Sequence, residues 1–433
     1  MTPNTAPLAV DLLDAPAPNL VTELPGPRAR ALIERDRRVT SPSMGRVYPL
    51  VPGRGKGCVI EDVDGNRFLD FNAGIAVTST GHCHPRVVEA IERQSNTLLH
   101  YCSSDWYIPA YVDLCERLVA SSPIAPARVF LGNSGTEAVE AAIKLARHAT
   151  GRTNVIAFLG SFHGRSLGSL SLTASKARYR GGFGPLLPGV YHAPYGEAGY
   201  IKNVIFRHLT PPEDVAAIVV EPIQGEGGYL VPPAGWLEEL RELCDEHGIV
   251  LVADEVQSGV GRTGKMWAIE HDGVVPDVIL AGKGLASGLP LSAVIARADL
   301  MSWGAGKHGS TFGGNPVACA AALATLDLVE SGMAANATTV GDHLMQRLRE
   351  LASRHRNIRD VRGRGLMIGV EFPTHDDAEA LEQACFRRGL LVLTCGESSV
   401  RIAPPLVVTI EQADVAIQIL DDVLTELGDA VAQ

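Results

Sequence analysis

The chain has 433 residues, 46% of them hydrophobic and 20% charged, enough for two or three domains around a large core. Its net charge of −11 disfavours wholesale binding to nucleic acid or to an anionic membrane, so any anionic ligand must be held by local donors. No apolar run approaches the roughly 18 residues that cross a bilayer, and the eight scattered cysteines contain no C-x-x-C pair, as expected of reduced thiols in a cytoplasmic protein.

The first 20 residues are rich in Pro and Ala, carry Asp11 and Asp14 and lack a basic start. They do not resemble a signal peptide and are expected to form a mobile arm. From 47 to 71 the pattern is strand-like, and Asp64-Gly65-Asn66 between two alternating runs predicts a hairpin. Cys83 lies between His82 and His84, but no further ligands stand at zinc spacing and no metal is expected. His84-Pro85 starts a helix with Val87, Val88, Ile91 and Leu98 on one face. Then follow a helix over 137–149, strands over 155–159 and 217–220, a helix over 236–247, and strands over 249–253 and 278–280. Continuous β-branched runs between amphipathic helices predict an α/β fold with a mostly parallel sheet covered on both faces. Helices over 318–328 and 340–354 lead away from it. Residues 358–433 mix strands (366–372, 390–394, 400–402) with helices (378–388, 411–427), an α+β unit expected to pack with the N-terminal hairpin. The expected division is 1–75 as arm and hairpin, 76–332 as the large domain and 333–433 as the small one.

Chemistry concentrates where strands end. Lys283 stands in Ala281-Gly282-Lys283-Gly284-Leu285, directly after one apolar strand, and Asp254 and Gln257 leave another. In a pocket of small, weakly polar residues the ammonium form is disfavoured, and the free amine can attach a carbonyl cofactor, with the acid at the cofactor's far end. Gly132-Asn133-Ser134-Gly135-Thr136-Glu137 opens a helix, where free N–H groups and the dipole suit a phosphate; a plain N-cap would use the same residues. Phe162-His163-Gly164-Arg165 offers an aromatic to cover a planar ring and an arginine for a carboxylate. Glu221 and Glu226 follow the strand over 217–220. All four segments leave by carboxyl ends, the edge at which open α/β sheets bind ligands. Gly259 to Lys265 matches both G-x-G-x-x-G and G-x-x-x-x-G-K, yet Met266 stands where a phosphate loop needs Ser or Thr and no helix follows, so a turn-forming loop is expected instead.

Taken in order, NSGTEA, FHGR, EPIQGEGG, DEVQ, AGKG and TFGGNP resemble the class III aminotransferases, fold-type-I enzymes that use pyridoxal 5′-phosphate. The resemblance runs from about residue 26 into the C-terminal unit and is nearest the 4-aminobutyrate, ornithine and acetylornithine enzymes. It implies that Lys283 carries the cofactor and shuttles a proton, that Asp254 pairs with the pyridinium nitrogen, and that Gln257 meets the phenolic oxygen. It further implies that Val256 and Phe162 cover the two ring faces, with His163 and Glu221 close by. Ser134, Gly135 and Thr136 would hold the phosphate with Thr311 of a neighbouring subunit, hence a homodimer or a tetramer built from it. Arg401 would take the α-carboxylate of glutamate, Glu226 would pair with it otherwise, and Ile75 and Arg165 would receive a distal carboxylate. The expected activity is transfer from an ω-amino acid, 4-aminobutyrate first and ornithine or acetylornithine next, to 2-oxoglutarate. A racemase would use the same cofactor but needs a second acid opposite Lys283. A nicotinamide dehydrogenase on the Gly259 loop and a non-catalytic binder are the alternatives of other classes.

Overall fold

The computed structural model describes residue 12 and residues 16–432, with side chains as far as residue 428. A seven-stranded sheet forms the centre, in the spatial order Ala127–Gly132, Ser292–Arg297, Val278–Ala281, Val250–Asp254, Val215–Val220, Asn154–Phe158, Val190–Ala193. Neighbours pair in parallel from Val190–Ala193 through to Val278–Ala281, and only Ser292–Arg297 is reversed. This is the fold type I architecture expected from the sequence.

Both sheet faces are covered, and the sequence shows why. Every residue of Val215–Val220 is buried, so the strand alternates between two apolar layers rather than between core and water. Val155, Ala157, Ala217, Val219 and Val252 join one core with the Ala-rich face of helix Gly135–Thr150. Ile156, Phe158, Ile218, Val220 and Leu251 join the other with Trp236, Leu237 and Leu240 of helix Trp236–His247. Register then aligns the exits: Val220 sits beside Ala253, and Asp254 beside Leu280. Four loops therefore leave one edge together.

Three strands of the central sheet had no expected counterpart. Ala127–Gly132 and Val190–Ala193 are edge strands with partly exposed residues, so neither reads as a buried run. Ser292–Arg297, SAVIAR, is buried as far as Ala296 but is bounded by Ser292 and the exposed Arg297, which leaves only a short apolar run between them. The hairpin forms as expected, with Asp62 Oδ1 accepting from the N–H groups of Asp64 and Asn66. Residues 390–394, read as one strand, divide instead: Leu390–Leu391 adds in parallel to the hairpin sheet, and Leu393–Cys395 joins the C-terminal sheet of Asp360–Arg364, Met367–Glu371 and Ser399–Ile402. Most of the N-terminal arm lies outside the described residues. From Asn19 it is tied down, Asn19 bridging to Arg67 and Asn66 Oδ1 accepting from Val21 and Thr22, so this part is not a free arm. The helical run Pro316–Arg354 is long and apolar enough to cross a membrane; half of its most apolar window is packed into the protein interior.

Candidate active site

Lys283 begins a one-turn helix directly after strand Val278–Ala281, with a left-handed backbone at φ 41°. Its side chain is largely enclosed, and burial first and the charge of Arg401 second, against the opposing charges of Glu226, Glu221 and Asp254, bring its pKa from 10.5 down to about 8. That fall raises the free-amine fraction at neutral pH by roughly two orders of magnitude. Glycines make room around it. A Cβ on Gly282 or Gly135 would press on Val256, and one on Gly284 would meet Ser79 Oγ at 2.5 Å.

Asp254 ends its strand as a buried carboxylate, its Oδ1 taking the N–H of Val256 and its Oδ2 lying 2.7 Å from His163 Nδ1. Burial alone would lower the pKa of His163, but the bond to Asp254 and the charges of Asp254 and Glu221 raise it. His163 Nε2 is buried without a partner. Glu221 accepts from the N–H groups of Phe162 and Gly225 at 3.1 Å each, and burial pushes its pKa up to about 7. One carboxylate thus fixes both the Phe162 and the Gly225–Glu226 loops. Gln257 Oε1 accepts from the Tyr229 hydroxyl at 2.9 Å, which leaves the amide Nε2 as donor, and a Cβ on Gly225 would overlap that nitrogen.

Ser134 caps helix Gly135–Thr150 by accepting from Glu137 N–H. The N–H groups of Gly135 and Thr136 lie in the first turn, where no intrahelical acceptor exists, and stay free for an anion. The Thr136 hydroxyl behaves differently from a phosphate donor. It lies 2.6 Å from both Ser166 Oγ and Ser169 Oγ, in a cluster completed by Glu140. Thr311 is exposed beside Ser310, whose hydroxyl accepts from Asn133.

Two arginines were expected to meet the substrate. Arg401, buried in strand Ser399–Ile402, donates to Glu226 at 2.7 Å. Burial would raise the Glu226 pKa, but Arg401 outweighs it and holds the carboxylate ionised. Arg165 is exposed, has no hydrogen-bond or ion-pair partner among the described residues, and rests on the rings of Tyr179 and Phe162. Ile75 stands in a left-handed turn, Ala73–Ala76, in which all four residues have positive φ. Such a run is rare for L-residues, and β-branched Ile75 at φ 67° marks real strain.

Sequence reasoning therefore named most of this cluster but missed its ties. The His163–Asp254 pair, the Tyr229–Gln257 bond, the Ser166–Ser169–Glu140 cluster and Tyr179 carry no motif of their own. Tyr229 had one faint signal, three positions after Glu226 in the same loop. His82 and His84, candidates around Cys83, have other employment: His82 bonds Asp70 at 2.7 Å and His84 caps helix Pro85–Ser95.

The class-III aminotransferase family model matches residues 40–424. A 4-aminobutyrate aminotransferase of Mycobacterium bovis is 41% identical over 440 residues, covering 94% of this chain and 98% of its own. An alanine/serine racemase of Pyrococcus horikoshii is 41% identical over 446 residues, covering 96% and 94%. The ornithine aminotransferase of Toxoplasma gondii, solved with partial occupancy of PLP at its active site, superposes with a TM-score of 0.88 at 33% identity, covering 94% of this chain and 96% of that one. The residues here fit pyridoxal phosphate on their own geometry. A depressed lysine lies within electrostatic reach of a buried carboxylate whose histidine partner has a nitrogen with no partner among the described residues, beside helix-start N–H groups and glycines at which a Cβ would crowd Val256, Ser79 or Gln257. Sequence, fold and pocket agree, and the chain belongs to the class-III aminotransferases, a pyridoxal-phosphate-dependent family.

Proposed function

We propose that the enzyme moves the amino group of an ω-amino acid, 4-aminobutyrate foremost, to 2-oxoglutarate, and that the Arg401–Glu226 ion pair carries this reading. An ω-amino donor brings no carboxylate next to the reacting carbon. A buried guanidinium left alone there would be strongly unfavourable, so a carboxylate from the protein must neutralise it. Glutamate brings its own α-carboxylate, and Glu226 then gives way. Arg165 suits the far carboxylate because its donors are unspent, and Ile75 lines the same end.

Bound pyridoxal phosphate would supply the electron sink that makes proton loss from the substrate's amine-bearing carbon feasible. Asp254, oriented by His163, keeps the ring nitrogen protonated. Gln257 meets the phenolic oxygen through its amide, and Val256 and Phe162 cover the two faces. Ser134, Gly135 and Thr136 hold the phosphate, Thr136 through its backbone. Lys283 would hold the cofactor and, through its free amine, would take the proton from the substrate's amine-bearing carbon and return it. Exposed Thr311 suits donation into a second subunit, so the working unit is a homodimer. The exposed apolar side chains Leu99, Tyr107 and Phe312 support burial of that region. Residues 76–332 serve as the cofactor-binding domain, with 1–75 and 333–433 forming the smaller one. The eight unpaired thiols suit a cytoplasmic setting.

Mixing the holoenzyme with one candidate amine at a time, and following the cofactor's visible absorption, tests the reading. Rapid loss with 4-aminobutyrate and indifference to ornithine is the expected result; the reverse overturns the donor assignment. The racemase relative supports a second reading, which predicts D-amino acid from a single L-amino acid without any oxo acid. Against it, Glu226 is engaged by Arg401, Glu221 by two backbone N–H groups and Asp254 by His163, leaving none of these acids free opposite Lys283.

A further inference from the structure

Arg165 presents an unusual arrangement for an exposed arginine. Its guanidinium carbon lies 4.2 Å from the ring centroid of Tyr179 and 5.6 Å from that of Phe162, and no carboxylate or carbonyl holds its nitrogens among the described residues. The two rings meet edge to face, 6.0 Å apart at 83°. Tyr179 ends the one-turn helix Ala177–Tyr179, and Arg178 approaches the same ring at 5.5 Å. The Tyr179 hydroxyl has no partner among the described residues, so the residue acts through its ring.

Stacking on an aromatic face holds a guanidinium by its plane and leaves the N–H fork at its edge unspent. A long side chain that would otherwise sample many rotamers is ordered before any ligand arrives, and the ordering cost is removed from the binding step. Phe162 alone could not do this, since its ring is the more distant and is assigned to the cofactor in the reading above. We propose that Tyr179 is a specificity-determining positioning residue, which stacks Arg165 so that its fork is ready for the distal carboxylate of the amino donor. The proposal rests on the reading of Arg165 given above and goes beyond it. The donors it favours are ω-amino acids ending in a carboxylate, over ω-amino alcohols or amines of equal length.

The experiment uses the holoenzyme and the single half-reaction, so that the oxo acid does not enter. The concentration of 4-aminobutyrate giving half-maximal rate is compared with that of 4-aminobutan-1-ol, in Tyr179→Leu, Tyr179→Phe, Arg165→Met and the Leu/Met double variant. Tyr179→Leu is expected to raise the 4-aminobutyrate value about tenfold with little change in maximal rate and none for the alcohol. Tyr179→Phe should match the parent, and the double variant should be no worse than Arg165→Met. If Arg165→Met raises the 4-aminobutyrate value and Tyr179→Leu does not, the proposal fails while the reading of Arg165 stands. If Arg165→Met changes nothing, that reading fails and takes the proposal with it. Equal losses for both donors in Tyr179→Leu mean general damage to the loop and also overturn it.

Discussion

Arg401 and Glu226 join two different sheets across 2.7 Å: one lies in strand Ser399–Ile402, the other in the loop after Val215–Val220. Glu226→Gln keeps the shape but removes the charge, leaving Arg401 uncompensated whenever no α-carboxylate is bound. The half-reaction with 4-aminobutyrate should slow by about 10–100-fold, equivalent to roughly 1.4–2.7 kcal/mol. The half-reaction with glutamate should hold or improve. Stopped-flow measurement of each separates them, and equal losses would dismiss Glu226 as the alternating partner.

Lys283 makes a pH prediction for the cofactor-free protein. Its folded pKa is about 8 against 10.5 for the free side chain, because burial disfavours the ammonium form. Between those values the unfolded chain binds more protons, so stability rises with pH from about 8 to 10.5; below 8 the penalty is present in full. Lys283→Met should therefore stabilise the apo-protein below pH 8, by about 1–3 kcal/mol after allowance for partial exposure. The advantage should shrink as pH climbs above 8. Denaturant melts of both apo-proteins at several pH values give the answer, and a pH-independent difference would refute burial of the charge as its source.

The part of this site that could be read in the sequence is the part that follows strand ends. Lys283, Asp254, Glu221 and Phe162 each sit just beyond an apolar run, and parallel pairing in register then brings them to one edge. What could not be read depends on side chains meeting across loops. Nothing in FHGR says that His163 will find Asp254, 91 positions away, or that Arg165 will lie on Tyr179. Thr136 is the instructive case: a helix opens where the motif put one, but the Thr136 hydroxyl is taken up by Ser166 and Ser169. The strand over 390–394 was misjudged for a similar reason. A uniform apolar run gives no sign that its two halves pair in separate sheets on either side of Val392.

Arg262 belongs to the glycine loop that mimics nucleotide motifs, and its role is structural instead. It is 1% exposed and donates to the carbonyls of Leu366 and Pro404 and to Ser79 Oγ, with no carboxylate in salt-bridge range among the described residues. Burial pulls its pKa down to about 10, so it stays charged at neutral pH. Replacing a whole buried ion pair by apolar groups can be neutral, but Arg262→Met leaves both carbonyls behind and unpaired. The variant should lose about 2–4 kcal/mol in a denaturant melt. Pro404 stands three residues after Arg401, so the surviving enzyme should be impaired more with glutamate than with 4-aminobutyrate. An unchanged melt would mean water replaces the guanidinium.

Ile75 should trade stability against selectivity. Its φ of 67° and ψ of 53° lie in the left-handed region, where a β-branched side chain costs about 1–2 kcal/mol. Glycine adopts that conformation freely but adds unfolded-state entropy worth about 0.5–1 kcal/mol. The side chain is 42% exposed, so little burial is lost. The strain term wins, and Ile75→Gly should raise the denaturant midpoint by an amount corresponding to about 0.5–1 kcal/mol. On the proposed reading, the same change opens the end of the site that receives the distal carboxylate. Preference for 4-aminobutyrate over longer ω-amino acids should fall several-fold, measured as the ratio of half-reaction efficiencies. A lower midpoint would show that neighbouring contacts, rather than the turn's own backbone, set the energy of residues 73–76.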